Sequence, residues 1–169
     1  MIKINEELLD KYSAFQGLSH SEISQFIDLI KLKEVKIDEN IISEGDAGDS
    51  LIFLFKGDVN ITKAMTLTTS NSVEDNREKE LIKMDHSFYP MFGEMSMFNK
   101  DDKRTATITA LSNCQIGILS QENFYKVCDE NPNIGYVIMK NIGNKLTKDL
   151  IKSNKYVLKL TTALGLIFE

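Results

Sequence analysis

Cysteine, proline and histidine are scarce in this chain of 169 residues, with two of each. Cys114 and Cys128 are too few for a disulfide scaffold and form no C-x-x-C pair, so we read both as reduced, buried thiols of a cytoplasmic protein. No proline or glycine cluster divides the chain and no internal repeat is visible, which predicts one ordinary domain with a helical appendage. His20 and His86 fall on different elements without an H-x-H pattern, too little to build a metal centre on a small β-barrel. There is no nucleophile–base pair and no glycine-rich triphosphate loop, so catalysis is not expected. Basic residues do not exceed acidic ones: 20 against 25 leaves a net charge of −5. That balance gives no global attraction to nucleic acid or an anionic membrane. No apolar run approaches membrane-spanning length. The N-terminus turns acidic at Glu6 and Glu7, before a signal peptide could form.

What is present is a change of period along the chain. Residues 5–30 are helical in pattern: Leu8, Leu9, Tyr12 and Phe15 recur at helical spacing. Ser19 with Glu22 then forms a capping box ahead of Ile23, Phe26, Ile27 and Ile30. From residue 32 the alternation is every second residue, which predicts strands at 32–37 and 41–42. Residues 44–50 form a turn, with Gly45 and Gly48 available for positive φ and aspartates that bond their own backbone. Residues 51–55 are continuously apolar and short, like a buried strand. Lys56-Gly57-Asp58 turns the chain into a strand at 59–62. Residues 66–80 carry no pattern and predict a loop. Strands resume at 81–84, 107–111 and 115–119. Many short strands at close spacing point to a barrel or jelly roll. Ser120 caps a helix whose inner face is Phe124, Val127 and Cys128, and Pro132 opens a long final helix from its first turn.

The most informative stretch is residues 92–106, Phe-Gly-Glu-Met-Ser-Met-Phe-Asn-Lys-Asp-Asp-Lys-Arg-Thr-Ala. It resembles the phosphate-binding cassette of the cyclic-nucleotide-binding family in its catabolite-activator form: Phe-Gly-Glu, a short apolar helix, a loop, then arginine followed by a small residue. The paired glycines Gly45 and Gly57 flanking an apolar strand, and the segment Phe15-Gln16-Gly17-Leu18-Ser19, resemble the same family, over roughly residues 12–152. The resemblance implies an α+β, mainly β fold: a jelly-roll β-barrel with N-terminal helices over residues 1–132, and a lid or dimerisation helix and tail over 133–169. It implies a non-catalytic sensor whose ligand is cAMP or cGMP, without a metal.

The residue types suit such a ligand. Arg104 offers a planar fork to two phosphate oxygens. Glu94 offers a carboxylate acceptor to the ribose 2′-hydroxyl. Gly93 permits close backbone approach. The amides opening the short helix expected from Glu94 through Met95, Ser96 and Phe98 would face the same anion. Phe92 leads the cassette, Thr105 adds a hydroxyl beside phosphate or base, and Ile61 and Met84 would line the lumen. Taken singly, Arg104 would be a surface arginine in a charged loop and Glu94 a helix-end carboxylate complementing the dipole. As an ordered set they favour ligand binding. Two departures mark this chain: Pro90 rebuilds the turn before the cassette, where the family has a glycine, and Ser96 stands where the family has glycine or alanine. The same fold with its ligand lost, kept for dimerisation or docking, is the alternative.

In catabolite activators the last helix leads into a helix-turn-helix domain. Here the short tail leaves no room for one, so DNA binding is not expected. Leu146, Leu150, Ser153, Val157, Leu160, Leu164 and Ile167 follow heptad spacing. Lys145, Lys148, Lys152, Lys155 and Lys159 share another face. The lid over the ligand is expected near Lys148, Asp149 and Lys152. The apolar seam predicts a homodimer through a helix about 48 Å long, with a hinge at Ser153-Asn154 as the other outcome. The lysine stripe offers a possible contact for an acidic protein partner, with a solvated face as the simpler reading.

Overall fold

The computed structural model describes residues 2–64, 78–98 and 102–167. The N-terminal helical stretch is broken into α1 (Glu6–Asp10), a 3-10 turn at Ser13–Phe15, and α2 (His20–Ile27). Asn5 caps α1 by accepting from the Leu8 amide, and Ser19 with Glu22 forms the expected capping box on α2. The break has a physical reason. Tyr12, Ala14 and Phe15 are all buried, Tyr12 and Phe15 against Phe53 while the Ala14 carbonyl meets Asn141 of the last helix.

Eight strands follow among the described residues: β1 (Lys31–Val35), β2 (Asn40–Ile42), β3 (Ser50–Lys56), β4 (Asp58–Ala64), β5 (Glu78–Asp85), β6 (Met91–Phe92), β7 (Thr107–Ala110) and β8 (Cys114–Ser120). The loop expected at 66–80 lies mostly outside the described residues, and its last positions, 78–80, are strand. All pairings are antiparallel. They nest: β1 with β8, β2 with β7, β3 with β6, β4 with β5. Two further pairings, β3 with β8 and β4 with β7, complete two four-stranded sheets ordered β1-β8-β3-β6 and β2-β7-β4-β5. A long hairpin rolled on itself gives this order, the jelly roll expected from the strand spacing.

Strand β3 explains the continuous apolar run. Ile52 and Leu54 point between the sheets, among Val35, Val59, Phe92, Ile108 and Ile116. Leu51, Phe53 and Phe55 point the other way, into a second core with Tyr12, Phe15, Phe26, Leu119, Phe124 and Ile138. Full burial of each such side chain contributes about 1.5–3 kcal/mol. Tyr12 is central to the second core. Its ring meets Phe53, Phe55 and Tyr89 edge-on, and its hydroxyl donates to the Leu54 carbonyl at 2.6 Å.

Helices α3 (Gln121–Glu130) and α4 (Pro132–Ile167) close the chain. Ser120 caps α3, whose buried face is Phe124, Val127 and Cys128, as its spacing predicts. Helix α4 is unbroken over 36 residues, about 54 Å. Ser153-Asn154 is therefore helical and does not act as a hinge. Ile134, Ile138 and Ile142 are buried, and Asn141 donates to the carbonyls of Ala14 at 3.1 Å and Gln16 at 2.8 Å. From residue 147 to 167 every side chain is exposed.

Candidate functional site

The cassette begins where β6 ends. Phe92 faces the interior between the sheets, opposite Ile52 of β3. Gly93 then takes φ +89°, a left-handed conformation that side chains with a Cβ rarely adopt. A Cβ here would collide with Arg104 Nη1 and the Ser50 carbonyl. The expectation at Gly93 was a close approach to the ligand; what the structure packs against it is the arginine itself. The short helix is smaller than expected: one 3-10 turn, Glu94–Ser96. Glu94 and Ser96 are buried inward, while Met95 and Phe98 are largely exposed.

Arg104 arrives from the far side. Its amide donates to the Asp46 carbonyl at 2.8 Å, and its own carbonyl accepts from the Gly45 amide at 2.9 Å. The Gly48 amide bonds the Asp102 carbonyl at 3.0 Å. The turn at 44–49 and the segment at 102–104 are therefore laced together by backbone. Gly45 uses positive φ, as expected, but Gly48 does not. Gly48 is required for another reason: a Cβ there would run into the Ser96 side chain.

The reading of Arg104 as a surface arginine fails, because it is 7% exposed. Its Nη1 donates to the Ser50 carbonyl at 2.9 Å and to Ser96 Oγ at 3.1 Å, and Nη2 donates to Ser50 Oγ at 2.9 Å. All three acceptors are neutral. Within 4 Å, the one carboxylate among the described residues is that of Asp49, 3.9 Å from Nη2 and 82% exposed. A guanidinium carries five N–H groups, so two have no hydrogen-bond partner among the described residues. Burial pulls the Arg104 guanidinium below its ordinary pKa, and the charges of Asp49, Asp46 and Glu94 oppose that pull.

Glu94 is also buried, and the group on it is not on the cassette. Lys145 of α4 donates to Glu94 Oε1 and, at 3.1 Å, to Asp149 Oδ2. Burial acts to lower the Lys145 pKa, but Glu94 and Asp149 outweigh it and hold the ammonium above its ordinary value. Helix α4 thus meets the cassette through Lys145, one turn before the stretch expected to form the lid; Lys148 and Lys152 are exposed. Sequence spacing placed Lys145 in a solvated lysine stripe, and its i,i+4 relation to Asp149 was the one available hint of pairing. Ser50 carried no signal beyond closing the turn expected at 44–50.

The remaining expected residues are spread more widely. Thr105 is exposed, and its hydroxyl is turned to Met95 Sδ at 3.7 Å. Ile61 on β4 and Met84 on β5 are half-buried and pack against the interior between the sheets. His86, in a 3-10 turn, places Nδ1 3.3 Å from the Gly57 carbonyl, and His20 opens α2, so the two histidines do not converge. Asn99, Lys100 and Asp101 of the cassette lie outside the described residues.

Residues 32–131 match the family model described as "Cyclic nucleotide-binding domain". The chain is 35% identical over 96 residues to the cGMP-dependent protein kinase, isozyme 1, of Drosophila melanogaster, covering 57% of this chain and 11% of the kinase. It is 31% identical over 94 residues to the cAMP-activated global transcriptional regulator CRP of Pasteurella multocida, covering 56% and 40%. The chain thus spans well under half the length of these relatives. A cyclic nucleotide-binding domain from Methylobacillus flagellatus KT superposes with a TM-score of 0.72 at 23% identity, covering 90% of this chain and 79% of that one, a likeness of fold. With jelly roll, cassette and family model in agreement, the chain belongs to the cyclic nucleotide-binding domain family.

Proposed function

We propose that this chain is a non-catalytic sensor that takes cAMP or cGMP at the cassette, with Arg104 on the cyclic phosphate and Glu94 on the ribose 2′-hydroxyl. The observation that carries the reading is the buried guanidinium whose hydrogen-bond acceptors are all neutral and which keeps two N–H groups without a hydrogen-bond partner among the described residues. A buried cation without a hydrogen-bonded anion is costly. A monoanionic phosphodiester is the size and charge that would compensate it, and the names of the relatives, cGMP-dependent and cAMP-activated, point to the same ligands. Gly93 and Ser96 hold the arginine's reach, Phe92 and Met95 flank the turn, and Thr105, Ile61 and Met84 are the residues assigned to base and lumen. Swinging of Thr105 away from Met95 is part of this reading.

The signal leaves through α4. Leu150, Val157, Leu160, Leu164 and Ile167 are each between 46% and 72% exposed, at the heptad spacing of a coiled-coil seam. A homodimer through this face covers them, in keeping with a cytoplasmic protein carrying two free thiols.

Calorimetric titration with cAMP, cGMP and their 2′-deoxy forms tests the ligand assignment. Uptake of a ribonucleotide with at least about tenfold weaker uptake of its deoxy form is expected, since a hydrogen bond to a charged group is worth about 1.5–3 kcal/mol. Equal affinities would remove Glu94 from its role.

A further inference from the structure

The three acceptors around Arg104 belong to two serines, and counting hydrogens fixes what each serine does. A hydroxyl carries one hydrogen. Ser50 Oγ directs its hydrogen to Asp49 Oδ1 at 3.1 Å, and Ser96 Oγ to the Gly93 carbonyl at 3.2 Å. Both oxygens therefore face the guanidinium as acceptors. The count on the arginine is as definite. Nη1 gives one hydrogen to the Ser50 carbonyl and the other to Ser96 Oγ, and Nη2 gives one to Ser50 Oγ. The two N–H groups without a hydrogen-bond partner among the described residues are then Nε–H and the second hydrogen of Nη2. These lie side by side on one edge of the planar fork, an arrangement that meets two oxygens of one phosphate.

We infer that Ser96 is a positioning residue: by holding Nη1 it stops the Arg104 guanidinium from turning and keeps the Nε/Nη2 edge as the one offered to the ligand's phosphate. The inference rests on the nucleotide reading above and adds the residue that orients the arginine. Three observations support it. First, Ser96 is 2% exposed, so its oxygen is shielded from bulk water and stays with the arginine. Second, its hydroxyl joins the arginine to the turn that opens the cassette. The Gly93 carbonyl accepts from both the Ser96 amide and Ser96 Oγ. Ser50 alone holds one end of the fork, and a second anchor at Nη1, from another segment, prevents pivoting about the first. Third, the fold makes room for this hydroxyl. A Cβ at Gly48 would collide with both Cβ and Oγ of Ser96, and the Gly48 amide is fixed to the Asp102 carbonyl at 3.0 Å, two residues before Arg104. Neither glycine nor alanine at position 96 could make the bond to Nη1. A fork already held in place loses less side-chain freedom when the ligand arrives.

The test uses the full chain and two readouts. The chain holds two arginines, Arg77 and Arg104, so guanidinium NMR is simple to assign with Arg77→Lys. A held guanidinium gives separate Nη resonances and a freely turning one merges them. Nucleotide-free wild type should show separate Nη1 and Nη2 signals for Arg104. Ser96→Ala and Ser96→Cys should both merge them, the second because sulfur keeps the volume but accepts weakly. Calorimetric titration of cAMP and cGMP into the same samples should show uptake weakened roughly two- to tenfold in both variants. Signals that stay separate in Ser96→Ala, or uptake that Ser96→Ala leaves unchanged while wild type binds, overturn the role of Ser96 and leave the nucleotide reading standing. A Ser96→Cys chain that matches wild type in both readouts assigns Ser96 to packing and overturns the role as well. Uptake of neither nucleotide by wild type overturns the sensor reading and this inference with it.

Discussion

Helix α4 has two halves with similar sequence character and opposite fates. Residues 132–146 bury Ile134, Ile138 and Ile142 against the helical core and fix Asn141 and Lys145 to two other parts of the chain. Residues 147–167 bury none of their apolar side chains. Both halves are amphipathic and neither holds a proline after Pro132. The difference lies in what stands opposite. The first half faces the N-terminal turn, α3 and the cassette, while the second has passed the edge of the barrel. Most helical stability in proteins comes from packing of an amphipathic face rather than from propensity, so the second half draws its order from continuity with the first and from whatever covers its seam.

Five substitutions or reactions sharpen that contrast. Ile138→Ala should cost about 2–5 kcal/mol of stability through lost burial and a cavity, measured by denaturant unfolding at low protein concentration. The Cys128 thiol, under Gly135 of α4, is pushed up from 9.0 to about 11 by burial and by Asp129. A raised pKa means less thiolate at a given pH, so alkylation at pH 8 should be roughly a hundredfold slower than for an ordinary exposed thiol. Ile138→Ala should speed it if the bound half opens. Asn141→Ala removes the donor to two carbonyls and should cost about 1–3 kcal/mol. At the other end, Leu160→Ala should change unfolding of the isolated chain by less than about 0.5 kcal/mol. Leu160→Glu should abolish self-association in sedimentation while sparing the fold. A Leu160→Ala penalty as large as that of Ile138→Ala would erase the contrast between the halves.

The parts of the fold legible in the sequence are those governed by local rules. The capping box at Ser19 and Glu22, the cap at Ser120 and the alternation in β4 follow from spacing and chemistry within a few residues. The continuous run at 51–55 announced a buried strand, and β3 turns out to separate two cores. Less legible were features decided by distant surfaces. Ser19 and Glu22 marked the start of a second helix, but not that α1 ends at Asp10 and yields to a 3-10 turn at Ser13–Phe15, where Tyr12 and Phe15 meet Phe53 of the sheet. Strand β6 has two residues, too few to carry a period. The site divides the same way. The cassette stood out as a motif, and Gly93 was marked as a place of close approach. That Gly48 must be small because of Ser96, and that Lys145 would reach Glu94, depend on segments brought together only by the roll of the barrel. A lysine at helical spacing among other lysines looks solvated until a buried carboxylate is placed opposite it.

The central claim is that the buried Arg104 guanidinium exists to meet a cyclic phosphate. Titration of cAMP and cGMP into wild type, Arg104→Lys and Arg104→Ala, each verified as folded by circular dichroism, tests it directly. The account predicts one-to-one uptake of at least one nucleotide by wild type, weakened at least about tenfold in Arg104→Ala and weakened in Arg104→Lys, which keeps the charge and loses the fork. No uptake of either nucleotide by wild type, or undiminished uptake by a folded Arg104→Ala, would contradict it.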